Sequence, residues 1–343
     1  MIKERNISLD IIRSLACILV IIIHSPIAVH GVNGFLFASM TMIGSPCIGL
    51  FFMVSGYLLL PTDKTMFPFL KKRIGRVLFP TLFWTAFYLF LIYLSGETFQ
   101  GQSWRRTLIS IPFTRQGCGF LWFMYALMGL YVLAPMVSHW IESATKREFQ
   151  LVLGLWLITT SYSLLRPFVV LTEDTFGMLY YFTGYAGYFL LGAYIRKFQQ
   201  KVSIVAIGVL YLLPYLIALY ARLRGIDFLE NSFGYLCLMT VMQTYALFLF
   251  VTKIHFPHMS SSKICTKVVV SFSNCSFGIY LMHKFVMVDI IKQSGVYGSL
   301  SIVAQILLGI MTTALVAWVI TYVISLLPYG EYVVGVSQRK RKR

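Results

Sequence analysis

The chain has 343 residues and a formal net charge of +17; 58% of it is hydrophobic, 12% is charged, and its mean hydropathy is +0.77. A soluble domain is about a quarter charged, so the composition excludes a water-soluble globular protein and implies a polytopic membrane protein. A basic excess of this size suits nucleic-acid binding, but membrane topology, which sorts Lys and Arg among loops, accounts for it without any nucleic acid.

A bilayer takes about 20 apolar residues per helix. Windows of that size predict ten spans in chain order: Leu9 to Val29, Phe35 to Leu60, Val77 to Leu94, Cys118 to Ser138, Phe149 to Leu165, Phe176 to Ile195, Val202 to Tyr220, Phe233 to Thr252, Lys267 to Ile291 and Leu300 to Leu327. The runs are helical in length rather than short and alternating, as an outer-membrane barrel would require. The expected fold is therefore all-α. With the N-terminus inside, twenty Lys and Arg fall in cytoplasmic segments and seven outside, leaving Arg13 and Lys284 within the membrane. Both termini are expected to be cytoplasmic, with residues 328–343, ending in QRKRKR, as a basic tail beside anionic lipid. The first run is too long for a signal-peptide core. No repeat, low-complexity tract or long polar insertion divides the chain, which reads as a single membrane domain over 1–343. The six cysteines are scattered without a CxxC pair, so no disulfide framework is expected.

A cation among hydrocarbon costs at least ~2.5 kcal/mol, so intramembrane charges usually line a cavity or pathway. The first predicted helix holds RSLACILVIIIH, Arg13 to His24. Eleven helical positions turn through about 1100°, so the two side chains share a face roughly 16 Å apart along the axis. At that separation Arg13 cannot be the hydrogen-bonding partner of His24; the two must touch different parts of something long. The plainer readings are an Arg13 that snorkels or pairs with Asp10 at i,i+3, and a His24 hydrogen-bonded to a neighbouring helix.

In the second span, Ser55, Gly56 and Tyr57 interrupt an apolar run, as small residues do where helices approach closely. FLKKRIGRVLFP leads into the third with Lys71, Lys72, Arg73 and Arg76; Arg73 and Arg76 are i,i+3 neighbours, and forked guanidiniums on one face suit phosphate. Ordinary cytoplasmic anchoring explains the same run. The ninth span contains SFGIYLMHKFVMVD, and His283 lies sixteen residues beyond Lys267. If that helix is unbroken through SFSNCS, His283 arrives at the depth of His24. His283 and Asp289 are six apart and face different ways. Phosphate loops, HExxH and GxSxG are missing, and His255 and His258 in HFPH make a weak metal case; no metal is expected.

Taken in order, these segments resemble the membrane acyltransferase family 3, whose members attach acyl groups, often acetyl, to extracytoplasmic glycans. Arg13 and His24 match that family's Arg and His separated by ten residues. GLFFMVSGYLL is similar to its FFxxSGY segment, and RIGR to its RxxR motif. LWFMYALMGLYVLAP, with Trp122 and Pro135, is similar to its LWF-to-Pro helix, and FGIYLMH to its GIYxxH segment. The resemblance implies an acetyl-CoA donor on the cytoplasmic side and a glycan acceptor, lipid-linked or a surface polysaccharide such as the O-antigen of lipopolysaccharide, at a bacterial inner membrane. With it, His24 reads as general base with Arg13 in the catalytic set, and Arg73, Arg76 and Lys72 as donor-binding cations; position adds Tyr57, Trp122, His283 and Lys284 as oxyanion or acceptor contacts. An imidazole with an ordinary pKa of about 6.5 is largely neutral and able to take a proton at pH 7; a transient acyl-histidine is the other chemical route. Many members add an SGNH-type domain, and this chain is expected to be the form without it. Acceptor recognition would then fall to short outer loops, chiefly Glu97 to Gly117, with Trp104, Arg105, Arg106 and Arg115, and Arg222 to Asn231. The alternative in a different class is a proton-coupled transporter or flippase using Arg13, His24 and Lys284, although paired broken helices or duplicated halves are not evident.

Overall fold

A computed structural model describes residues 5–29, 31–95, 119–165, 177–225, 233–254 and 263–336. All regular structure among them is helical. Helix α1 (Ile7–His24) starts where the Asn6 side chain accepts the Leu9 N–H, and runs into a 3-10 turn, Ser25–Ala28, at Pro26; the cap supplies one of the partners that a first turn lacks. The predicted second span is two helices end to end, α2 (Gly34–Gly44) and α3 (Pro46–Leu59). Pro46 has no N–H to extend the preceding ladder but suits the first turn of the next helix.

Helix α4 (Met66–Leu94) begins well before Val77, so Lys71, Lys72, Arg73 and Arg76 sit on the helix itself. There follow α5 (Trp122–Ser143), α6 (Lys146–Thr160, opened by a Thr145–Glu148 capping box), α7 (Ala186–Lys197), α8 (Ile204–Leu223) and α9 (Leu238–Lys253). The last are α10 (Lys263–Phe285), which continues as a π-helix over Val286–Ile291, and α11 (Ile302–Leu326). Helix α10 passes unbroken through SFSNCS, and its irregular turn comes after His283 rather than before it.

Seven stretches are long and apolar enough to cross a bilayer by length and composition: Ile7–Ala28, Gly34–Leu59, Met66–Leu94, Gly119–Ser143, Ile204–Ala221, Ile264–Ile291 and Ile302–Leu326. The other three predicted spans hold shorter helices, α6, α7 and α9, of 15, 12 and 16 residues. Their runs are broken by polar and glycine turns. Gly184, at φ 95° in the left-handed region where glycine is favoured, stands two residues before α7.

Small residues set the closest approaches. A Cβ on Gly56 would strike the backbone of Phe189, and one on Gly192 the backbone of Met53, so α3 and α7 are locked by reciprocal glycines. Helix α1 packs against α3 and α10. It lies parallel to α10: Ser273 Oγ donates to Asp10 Oδ1 at 2.7 Å at one end, and the His24 and His283 rings meet at the other. Helix α11 turns its small and hydroxyl residues inward, with Gly309, Thr313, Ala317, Thr321 and Ser325 buried, while Leu307, Met311, Leu315, Val319 and Val323 are exposed. That polarity is inverted relative to a soluble protein and fits a helix bathed in lipid.

Candidate active site

Two clusters occupy opposite ends of α1. At the first, Arg13 lines a cavity of about 260 Å³ with Ser55, Arg76, Tyr131, Ser273, Asn274, Ser276 and Tyr280 among its polar walls. Arg73 lies within electrostatic reach of Arg13, and the Tyr131 hydroxyl meets Ser55 while facing Arg13, Arg73 and Arg76 together. Arg73 also sits 6.0 Å from the centre of the Phe69 ring, and it shares with exposed Lys72 a second, polar cavity of about 390 Å³ bounded by Lys64, Glu142 and Arg196. Three guanidiniums therefore converge around one tyrosine.

The pairing of Arg13 with Asp10 does not form. Arg5 Nε and Nη2 hold the two Asp10 oxygens at 2.6 and 2.8 Å, and Ser273 adds a third hydrogen bond. Asp10 is thus hydrogen-bonded by others while remaining within electrostatic reach of Arg13, and among the described residues Arg5–Asp10 is the ion pair that forms. The Arg13 guanidinium is left facing the cavity, a cationic surface suited to phosphate.

At the far end, the His24 and His283 ring centroids are 5.0 Å apart with the planes at 62°. His24 Nδ1 is 2.8 Å from Val20 O, and His283 Nδ1 is 2.6 Å from Tyr280 O. A carbonyl only accepts, so in a neutral ring each Nδ1 carries the hydrogen and each Nε2 presents a lone pair, a tautomer assigned from these contacts. Phe120 stands edge-on to His283 at 6.0 Å, and Lys284 Nζ lies 4.9 Å over the Phe120 ring, within electrostatic reach of His24. Between the clusters is an aromatic layer. Tyr280, which lines the Arg13 cavity, packs 5.6 Å from His283 and 5.2 Å from Phe123, and its hydroxyl donates to the Phe120 carbonyl. The cavity therefore ends one ring short of the imidazoles.

Two sequence expectations fall elsewhere. Tyr57 is not part of the His24 cluster: its ring packs on Phe248 at 6.0 Å, and it lies two residues beyond Ser55, with its carbonyl capped by Arg196. It belongs to the arginine end because α3 runs antiparallel to the reach from Arg13 to His24. Trp122 packs on Tyr185 and Tyr235, at 5.0 and 5.5 Å, rather than on either imidazole. Conversely, Tyr131, Tyr280, Phe120 and Ser273 were missed; each sits in an otherwise apolar or polar-small run, and only its position opposite a cation or imidazole distinguishes it. Trp104, Arg105, Arg106, Arg115, His255 and His258 lie outside the described residues, as do most of the Arg222 to Asn231 loop and the tail from 337.

A family model described as an acyltransferase domain, that of acyltransferase family 3, matches residues 6–322. The chain belongs to that family. The match takes in both clusters and every helix from α1 to α10, and it makes this protein a multi-pass membrane acyltransferase. Comparison with curated proteins and with solved structures found no match.

Proposed function

We propose that this protein is a bacterial inner-membrane O-acyltransferase that moves acetyl from cytoplasmic acetyl-CoA to a hydroxyl of an extracytoplasmic glycan, such as O-antigen. The observation that carries the reading is one helix, α1, presenting Arg13 to a cation-lined cavity and His24, its Nδ1 held by Val20 O, to a second imidazole roughly 16 Å further on. CoA has the same layout, with phosphates at one end and a thioester at the tip of an extended arm.

In this reading Arg13, Arg73 and Arg76 hold the phosphate-bearing end, with Lys72 at the rim of the adjoining cavity. The pantetheine arm passes Ser55, Ser276 and Tyr280, whose ring must swing to admit it. His24 Nε2 accepts the proton of the attacking hydroxyl, a contribution of typically about 10² to 10⁴-fold. The Lys284 ammonium, beside Phe120, is the donor best placed for the tetrahedral oxyanion.

The test is His24→Ala in the native host, with NMR of the purified surface polysaccharide. O-acetyl signals should disappear while the amount of polysaccharide is unchanged. Loss of the polysaccharide itself, or retention of the esters, contradicts the assignment.

A further inference from the structure

His283 is the most enclosed titratable side chain in this cluster, 0% exposed, and its Nε2 has no hydrogen-bond partner. A buried acceptor left unmade is destabilising, and a phenylalanine would fill the same space without that cost. The arrangement nonetheless keeps the lone pair available. Nδ1 is fixed on Tyr280 O, which leaves Nε2 on the opposite edge of a ring that packs against the His24 ring of α1, 5.0 Å between centres. His24 is tied in the same way to Val20 O, and its ring meets that of His283 at 62°. The groups that frame the pair are Tyr280 and Lys284 from α10, the latter in electrostatic contact with Asp289, and the edge of Phe120. Among the described residues, the hydrogen donors in that frame are engaged or cationic: Tyr280 donates to the Phe120 carbonyl, and Lys284 lies over the Phe120 ring.

From this the geometry points to His283 as a positioning residue that receives the proton of His24 during transfer, so that the two Nε2 atoms share one proton between them. The idea rests on the acyl-transfer reading above. The acceptor O–H breaks as its oxygen bonds the thioester carbonyl carbon, and the proton goes to His24 Nε2. That N–H turns onto the His283 Nε2 lone pair, which holds the imidazolium in place. When the C–S bond breaks, the proton passes to the thiolate and CoA leaves as the thiol, with both imidazoles neutral again. In the tautomer assigned from its Tyr280 contact, neutral His283 has no free hydrogen to give, so in this proposal it is not an oxyanion donor.

The experiment uses full-length protein in membranes of expressing cells, radiolabelled acetyl-CoA, and alkali-labile label as the readout of ester formation. His283→Phe and His283→Asn should lower kcat by about 10²-fold with donor KM within about twofold. His283→Gln, whose amide oxygen can reach the Nε2 position, should recover most of the loss. Unchanged kcat in His283→Phe, or equal loss in the Phe and Gln variants, overturns the inference. Because a variant can fail to fold, the wild-type protein is also labelled with ¹⁵N-histidine: both His24 and His283 should appear as Nδ1–H tautomers, and a proton on His283 Nε2 overturns the inference without any variant. Absence of alkali-labile label from wild-type protein would instead defeat the acyl-transfer reading, leaving the tautomer result to stand separately.

Discussion

At the scale of single residues, the chemistry turns on which polar groups are left without partners. Asp10 is the instructive case. Spacing alone offers it to Arg13, yet the folded chain gives it to Arg5 and Ser273, and Arg13 is released to the cavity. Asp10→Asn should therefore act on stability and not on donor binding. Because Arg5 is 45% exposed, the loss is discounted to about 1 kcal/mol, read as a small fall in thermal midpoint of the detergent-solubilised protein. An unchanged donor KM is expected; a raised one would mean that Asp10 positions Arg13 after all. Arg13 and His24 were legible in the sequence because polar groups inside an apolar run are conspicuous, and Arg73 and Arg76 because two guanidiniums recur at i,i+3. Tyr131 and Tyr280 were not, since a phenol inside an apolar helix is as often a packing residue, and its partners come from distant segments.

Helices, rather than residues, decide that the two imidazoles meet. The parallel packing of α1 on α10 brings Asp10 to Ser273 and His24 to His283, so equal depth counted along two separate runs becomes contact in space. That depth was readable from the sequence because both helices are regular as far as the histidines, and the wide turn over Val286–Ile291 begins only afterwards. Tyr57 was misplaced for a related reason: the order of motifs along the chain carries no sign of direction, and α3 returns toward the arginine end. The window count took the three short helices for full spans because it sums apolar residues across a run, whereas glycine and polar turns consume part of each. Helix α3 is held by its glycines, and this is testable. Gly56→Leu drives a side chain into the Phe189 backbone, where relief requires the helices to separate; overpacking typically costs about 1 to 3 kcal/mol or more. The variant should lose its monodisperse peak in size-exclusion chromatography, whereas Gly154→Ala, with open space at its Cβ, should behave as wild type. A well-folded Gly56→Leu protein would show that α3 and α7 are not locked as described.

For the molecule as a whole, the claim is that one elongated donor spans both clusters. The inverted polarity of α11 and the exposed apolar faces of α4 and α8 account for the lipid-facing exterior, while α1 carries Asp10, Arg13 and His24 to the polar clusters at its two ends. Membership of the acyltransferase family makes acyl transfer the chemistry of the chain, and in the proposed reading it falls to those clusters. The most direct test varies the length of the donor against the two ends of the site. Ester formation is measured with acetyl-CoA and with acetyl-pantetheine, which lacks the nucleotide phosphates, in wild type, Arg73→Ala and His24→Ala. A charge-assisted hydrogen bond contributes about 1.5 to 3 kcal/mol, so Arg73→Ala should lower kcat/KM for acetyl-CoA by roughly 10 to 100-fold and leave acetyl-pantetheine unchanged, while His24→Ala abolishes transfer from both. Equal loss with both donors in Arg73→Ala, or transfer surviving in His24→Ala, would contradict a single thioester held by guanidiniums at one end and deprotonation by imidazole at the other.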